Sequence, residues 1–300
     1  METIATGLLI AEGPVALADG SVLVVEVGGG RLNRVCPDGS MQLVADLGGG
    51  PNGAAIGPDG AVYICNNGGG FDCMMQDGAL RIAFAPDRYV GGSIQRVDLG
   101  NGTATILYDS CDGDPLLAPN DLVFDASGGF WFTDHGTSTA RAKSYGGLYH
   151  ARPDGGDIRR LRQGLLSPNG VGLSPDGRWL YWTDTLSARL WRAEILAPGV
   201  LMDYGRAPGE VLATAPGNIM LDSLAVEADG RICIGIIGGG GIWVVDPSGR
   251  CEIMPIDDFM VTNLCFGGAD GQDVVVTAAG SGRLLRGRWP RPGLPLAFTA

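Results

Sequence analysis

Six times along the 300 residues, an Asn, Asp or Glu stands eight residues before a turn Gly, with a β-rich run behind it. The copies begin EGPVALADG at Glu12, NGAAIGPDG at Asn52, NDLVFDASG at Asn120, NGVGLSPDG at Asn169, DSLAVEADG at Asp222 and NLCFGGADG at Asn263. The runs that follow are SVLVVEV, AVYICNN, GFWFTD, RWLYWTD, RICIGI and DVVVTA, and a third stretch such as GSIQRVDL or ARLWRAEI usually comes next. Successive anchors lie 40, 68, 49, 53 and 41 residues apart. A four-stranded propeller blade takes about 40–50 residues. The spacing therefore predicts an all-β chain, a six-bladed β-propeller forming a single domain over residues 1–300, with inserts in blades two and three. The sixth copy carries only three strands, so the N-terminal ETIATGLLI is expected to supply its outer strand, closing the ring and removing an exposed edge.

Composition agrees with this and excludes other classes. Gly reaches 51 residues without a three-residue period, which means many tight turns and not collagen. No window sustains helical periodicity. A net charge of −12 argues against nucleic acid as partner and suits a protein that holds a cation. The opening METIATGLLI has no basic stretch of the kind that begins a secretory leader, and no run of 18 apolar residues exists to span a membrane. The seven scattered cysteines, with no C-x-x-C pair, read as reduced thiols of a cytoplasmic protein, a monomer or homodimer.

In a propeller, residues at one repeat position share one height around the axis. The six anchors are thus expected to form an inward-facing ring of oxygen donors, two carboxylates and four carboxamides. Any one of them alone reads as a turn cap. Six in register, with two carboxylates that would repel each other, point to a hard divalent cation. Ca²⁺ suits the set best, Mg²⁺ or Mn²⁺ next, and Zn²⁺ less, because no Cys or His is present.

The returning strand brings a second layer to the same face: Glu26, Asn66, Asp134, Asp184, Ile236 and Thr277, with Asn67, His135 and Thr185 adjacent. Asp134 and Asp184 read as candidate bases or as side chains that bond backbone amides at strand ends. His135 reads as a donor at the pocket mouth. The inserts, residues 68–91 and 136–147, leave from this face. They offer Met74, Met75, Phe84 and Tyr89 to an apolar substrate, and Arg81, Arg88, Arg141 or Lys143 to a carboxylate.

The motifs AEGP at Glu12, PND…FWFTD at Asn120, SPNGVGLSPDG…LYWTDT at Asn169 and LDSLAVEADG at Asp222 occur in one order over nearly the whole chain. With them the chain resembles the SMP-30/gluconolactonase/LRE-like family, which includes regucalcin and the Drp35-type lactonases, with diisopropyl fluorophosphatase as a relative. The resemblance implies a metal-dependent lactonase acting on a small-molecule lactone at the propeller axis. It places the metal on Glu12, Asn169 and Asp222, with Asn120 on metal or substrate. Asp222 matches the general base or nucleophile, with Ser223 beside it, and Asp134 and Asp184 are alternates. Asn52, Asn66, His135, Arg81 and Tyr89 are the expected substrate contacts. Rival readings are a phosphotriesterase-like hydrolase, a lactone isomerase or lyase, and a calcium-binding propeller without catalysis.

Overall fold

The computed structural model describes residues 1–139 and 141–299. Six antiparallel sheets, five of four strands and the fourth blade's of five, are arranged as the blades of a β-propeller. Their inner strands are Ala11–Ala16, Pro51–Ile56, Pro119–Phe124, Pro168–Leu173, Met220–Val226 and Val261–Gly267. Each neighbours the next, and the last returns to the first. The N-terminal strand Glu2–Ala5 is the outer strand of blade six, paired with Arg283–Arg288. No described helix is long and apolar enough to cross a membrane.

Local chemistry sets each blade. In five of the turns the Asp before Gly accepts the backbone N–H two residues on: Asp19 from Ser21, Asp59 from Ala61, Asp176 from Arg178, Asp229 from Arg231 and Asp270 from Gln272, at 3.0–3.2 Å. The turn Gly then takes a left-handed φ, as at Gly177 (68°). Alternating strand residues bury themselves between neighbouring blades, and one apolar cluster fills each of the six clefts. Val22, Val24 and Val275 lie between blades six and one, Tyr63, Phe124 and Phe130 between two and three, and Trp131 and Trp182 between three and four. The core is a belt, which leaves the axis free for polar side chains.

The inner strands meet so closely that the residue after the anchor is often Gly. A Cβ on Gly53 would lie 2.6 Å from Asp121 Cα, and one on Gly170 would lie 2.7 Å from Ser223 Cα. The lower end of the axis, toward the Asp-Gly turns, opens into a cavity of roughly 410 Å³ lined by Asp121, Val171, Leu224, Asn263 and the C-terminal residues Leu294–Phe298. That tail is tied to blade five by Leu294 N to Val226 O (2.8 Å) and by the buried Glu227, which accepts from Trp289 and Arg291. It ends with the Phe298 ring edge-on to Phe124 of blade three, at 5.7 Å.

One register differs from the expectation. Thr133 and Thr183 accept the N–H of Asp121 and Gly170, each one residue past its anchor, and Thr277 accepts the N–H of Asn263 in the same way. Thr262 therefore occupies the sixth ring position and Asn263 lies one step below. By the same shift Ala278, rather than Thr277, is the sixth member of the second layer. The cause is a hairpin one residue pair longer than its counterparts, with Gly267 opposite Asp273, so counting back from the turn Gly ends one residue late.

Replacing Gly170 by Ala should lower unfolding stability by about 1–3 kcal/mol, because backbone of the next blade must move aside. Denaturant unfolding measures it; an unchanged midpoint would show the inner strands to be looser than described.

Candidate active site

The ring residues Glu12, Asn52, Asn120, Asn169 and Asp222 all lie on inner strands, and none is more than 7% exposed. Around Asn169 they are bonded to each other and to their neighbours. Its Nδ2 donates to Thr185 Oγ1 (3.1 Å), its Oδ1 accepts from Ser223 Oγ (3.4 Å), and its amide also reaches the Asp222 carboxylate. Glu12 Oε2 accepts from Gly13 N (3.1 Å) and, from the layer below, Asn263 Nδ2 (3.0 Å). Asn52 Oδ1 and Asn120 Oδ1 are buried with no hydrogen-bond partner. A buried acceptor left unmade costs about 1–3 kcal/mol, so the pair calls for a donor or a cation.

The carboxylates carry the same message. No Lys or Arg pairs with Glu12 or Asp222 among the described residues. Burial holds the Asp222 carboxyl up at about 7, and the nearby charge of Asp121 adds to this against the Asn169 amide. Burial also raises Glu12 well above the carboxylate range, with Asp222 and Asp121 pushing the same way. Asp121 was not expected from the sequence, although an acid directly after an anchor was the available signal. It lies below the ring, accepts Leu122 N (2.9 Å) and approaches Ser223, and burial lifts it to about 7.

The second layer acts as a set of clasps. Glu26 accepts Leu9 N, Asn66 Oδ1 accepts Gly50 N, and Asp134 accepts Leu117, Ala118 and Gly136 N–H groups at 2.7–2.9 Å. Asp184 accepts Ser167 N (2.9 Å), Ser167 Oγ (3.0 Å) and Ser187 N (3.0 Å). These side chains fix the loops that lead into Glu12, Asn52, Asn120 and Asn169, and their oxygens are spent mostly on backbone N–H groups, with Ser167 Oγ on Asp184 and Asn33 Nδ2 on Glu26 besides.

One residue farther up, backbone bonds define the mouth. Val27, Asn67, His135, Thr185 and Ala279 each donate N–H to the residue two before an anchor or its equivalent: Ile10, Gly50, Ala118, Ser167 and Met260. Ile237 pairs with Met220 in the same slot. Since Thr185 touches Asn169, His135 holds the corresponding place beside Asn120. Burial and then the Lys143 ammonium push His135 down to about 4, so its imidazole is neutral. Lys143, from the second insert, donates Nζ to His135 O (2.9 Å) and lies near Asp134 and Asp184.

The first insert is a hairpin, Phe71–Gln76 with Ala79–Phe84. Phe71, Cys73, Met75 and Leu80 dock on Leu9, Ile10, Val27, Met260 and Ala279 of blades one and six. Arg81 lies opposite Met74 on the other, exposed face, directed away from the ring. Tyr89 reaches blade three, its hydroxyl donating to Leu117 O (2.6 Å).

The model of the SMP-30/gluconolactonase/LRE-like region matches residues 10–280. The chain belongs to this family. A gluconolactonase of Zymomonas mobilis is 25% identical over 93% of this chain and 79% of its own. The lactonase drp35 of Staphylococcus saprophyticus is 32% identical over 58% of this chain, and that match spans about half of the relative's length (52%). Among solved structures, a gluconolactonase of Xanthomonas campestris superposes with a TM-score of 0.75 at 23% identity, covering 95% of this chain and 88% of its own. Regucalcin of Agrobacterium tumefaciens, described as a calcium-binding protein, gives 0.73 at 21%, covering 97% and 95%. These confirm the propeller and support a lactone hydrolase.

The SMP-30/gluconolactonase family implies a divalent cation, and the donor chemistry fits one. No group of three or more His, Cys, Asp or Glu converges among the described residues; the set is two carboxylates and three carboxamides, all hard oxygen donors. Two of the carboxamide oxygens are the orphaned ones.

A pH dependence follows for the cation-free protein. Glu12, Asp121 and Asp222 have folded pKa values above their unfolded ones, so the folded state binds more protons between about pH 4 and 7. Stability is full below pH 4 for these groups and falls as pH rises through 7. After chelation, the melting temperature should therefore drop by several degrees between pH 5 and 8, and added Ca²⁺ should restore it at pH 8. A flat profile, or no recovery with the cation, would contradict the ring as a cation site.

Proposed function

We propose that the protein is a metal-dependent lactonase whose cation is held by Glu12, Asn120, Asn169 and Asp222. The observation that supports this most is the unpartnered Asn120 Oδ1 in a buried ring with two uncompensated carboxylates. When bound, a cation such as Ca²⁺ supplies Lewis-acid polarisation of the lactone carbonyl and charge balance for the ring.

The chain's own residues do the rest. Asp222 is the carboxylate we assign to take the proton of the attacking water, because it is a ring acid that no basic side chain among the described residues neutralises. Asn169 orients it. Ser223 Oγ donates to Asn169 Oδ1, so Ser223 serves as a positioning residue. Asp134 and Asp184 keep the entry loops in place and, committed to backbone N–H groups, are poor candidates for the base. Neutral His135 and Asn52 face the substrate beside Asn120, and Asn66, bonded to Gly50 and Gly68, shapes the wall behind them.

Chelation should abolish hydrolysis of five- and six-membered lactones. Asp222→Asn should lower kcat by about 100-fold or more while leaving the circular dichroism spectrum intact, and should raise the melting temperature of the chelated protein at pH 8. Full activity without metal, or a fully active Asp222→Asn, would refute the assignment. Turnover of phosphotriesters with no lactone turnover would favour the rival hydrolase.

A further inference from the structure

The mouth above the ring is divided in two. On blades two, three and four its paired positions are Gly50 with Asn67, Ala118 with His135, and Ser167 with Thr185, joined by the Lys143 ammonium. On blades five, six and one they are Met220 with Ile237, Met260 with Ala279, and Ile10 with Val27. At these paired positions the polar side chains are on one side and the large aliphatic ones on the other. Ile10 is held at a φ of 53°. A β-branched residue in that region is strained by about 1–3 kcal/mol, and the clasp of Glu26 on Leu9 N next door helps hold it there.

The apolar half differs within itself. The hairpin Phe71–Phe84 covers blades one and six, leaving Ile10, Val27 and Ala279 at most 8% exposed. Blade five has no such cover. Met220 is 38% exposed and Ile237 is partly exposed. By register Ile237 holds the slot in blade five that Thr185 holds in blade four, where the side chain touches the ring residue of its own blade. Phe259, at the end of the next loop, is 55% exposed.

We propose that Met220 and Ile237 form a specificity wall for a hydrocarbon arm on the lactone ring, so that the preferred substrate is an alkyl-substituted lactone rather than a polyhydroxylated one. The ring oxygen and carbonyl of such a molecule face Asn67, His135 and Thr185, and its arm lies along blade five. A sugar lactone would bring hydroxyls against Met220 and Ile237 and leave them without partners, which is costly. This rests on the lactonase reading of the ring.

The test compares kcat/KM for δ-decalactone, δ-valerolactone and glucono-δ-lactone in the cation-loaded protein. δ-Decalactone should lead by at least about tenfold, the order expected for burying several methylenes. Met220→Ser with Ile237→Thr, the residues blade four has in these slots, should cut the decalactone-to-valerolactone ratio about tenfold. Ile237→Val should keep it, and melting curves verify that each variant folds. A ratio near one, a preference for glucono-δ-lactone, or a ratio unmoved by the double variant would overturn the wall. If no lactone turns over, the lactonase reading fails, and binding by calorimetry decides the wall separately. 2-Pentylcyclopentanone should bind about tenfold tighter than cyclopentanone, and the double variant should abolish the difference. Equal binding of the two ketones would overturn it.

Discussion

Two carboxylates, Glu12 and Asp222, are buried in one ring with no basic side chain bonded to either among the described residues. Placing them there is costly in a low-dielectric interior, and the rest of the molecule is arranged so that they stay. The belt of apolar clusters between blades holds the inner strands rigidly at the axis. Glycines such as Gly53 and Gly170 let those strands approach until their anchors converge. Clasps from Glu26, Asn66, Asp134 and Asp184 stop the entry loops from relaxing outward. Removing any of these would let the ring open and water in, which is the cheapest way to relieve the repulsion. The stability of the blades is thus partly spent on holding a site that is unfavourable without a cation.

Much of this was legible in the sequence because a propeller repeats one supersecondary unit. The count of eight between anchor and turn Gly put five anchors at equivalent places on the inner strands, and the missing strand of the sixth copy pointed to the N-terminal strand that closes it. The count failed in blade six, where the hairpin is one pair longer and Asn263 drew attention from Thr262. Spacing is reliable only while loop lengths are constant, and nothing in NLCFGGADG announces the extra pair. Asp121 escaped for a different reason: it lies off the repeat position, and its meaning depends on neighbours from blades four and five. The commitment of Asp134 and Asp184 to backbone N–H groups was one of two readings the residues allowed, and only the loop paths distinguish them.

The repeat also shows where chemistry departs from symmetry. Six blades share a backbone pattern so regular that equivalent N–H groups bond equivalent carbonyls in five of them. On that frame, the polar side chains of the mouth positions are in blades two to four and the large aliphatic ones in blades five, six and one. A ring built from one motif offers no direction to a bound molecule; the unequal halves supply one. The hairpin after Asn67 is part of the same asymmetry, since its docked face finds apolar partners only on blades one and six.

The C-terminal tail gives the axis a polarity of another kind. It leaves blade five beside Glu227 and runs to Phe124 of blade three, spanning the lower opening beneath Asp121. The tail thereby narrows the lower end of the axis and sets it apart from the upper mouth. On the lactonase reading proposed above, reactant and product would share the upper mouth, and the carboxylate formed would leave past the aliphatic side chains that admitted its uncharged precursor.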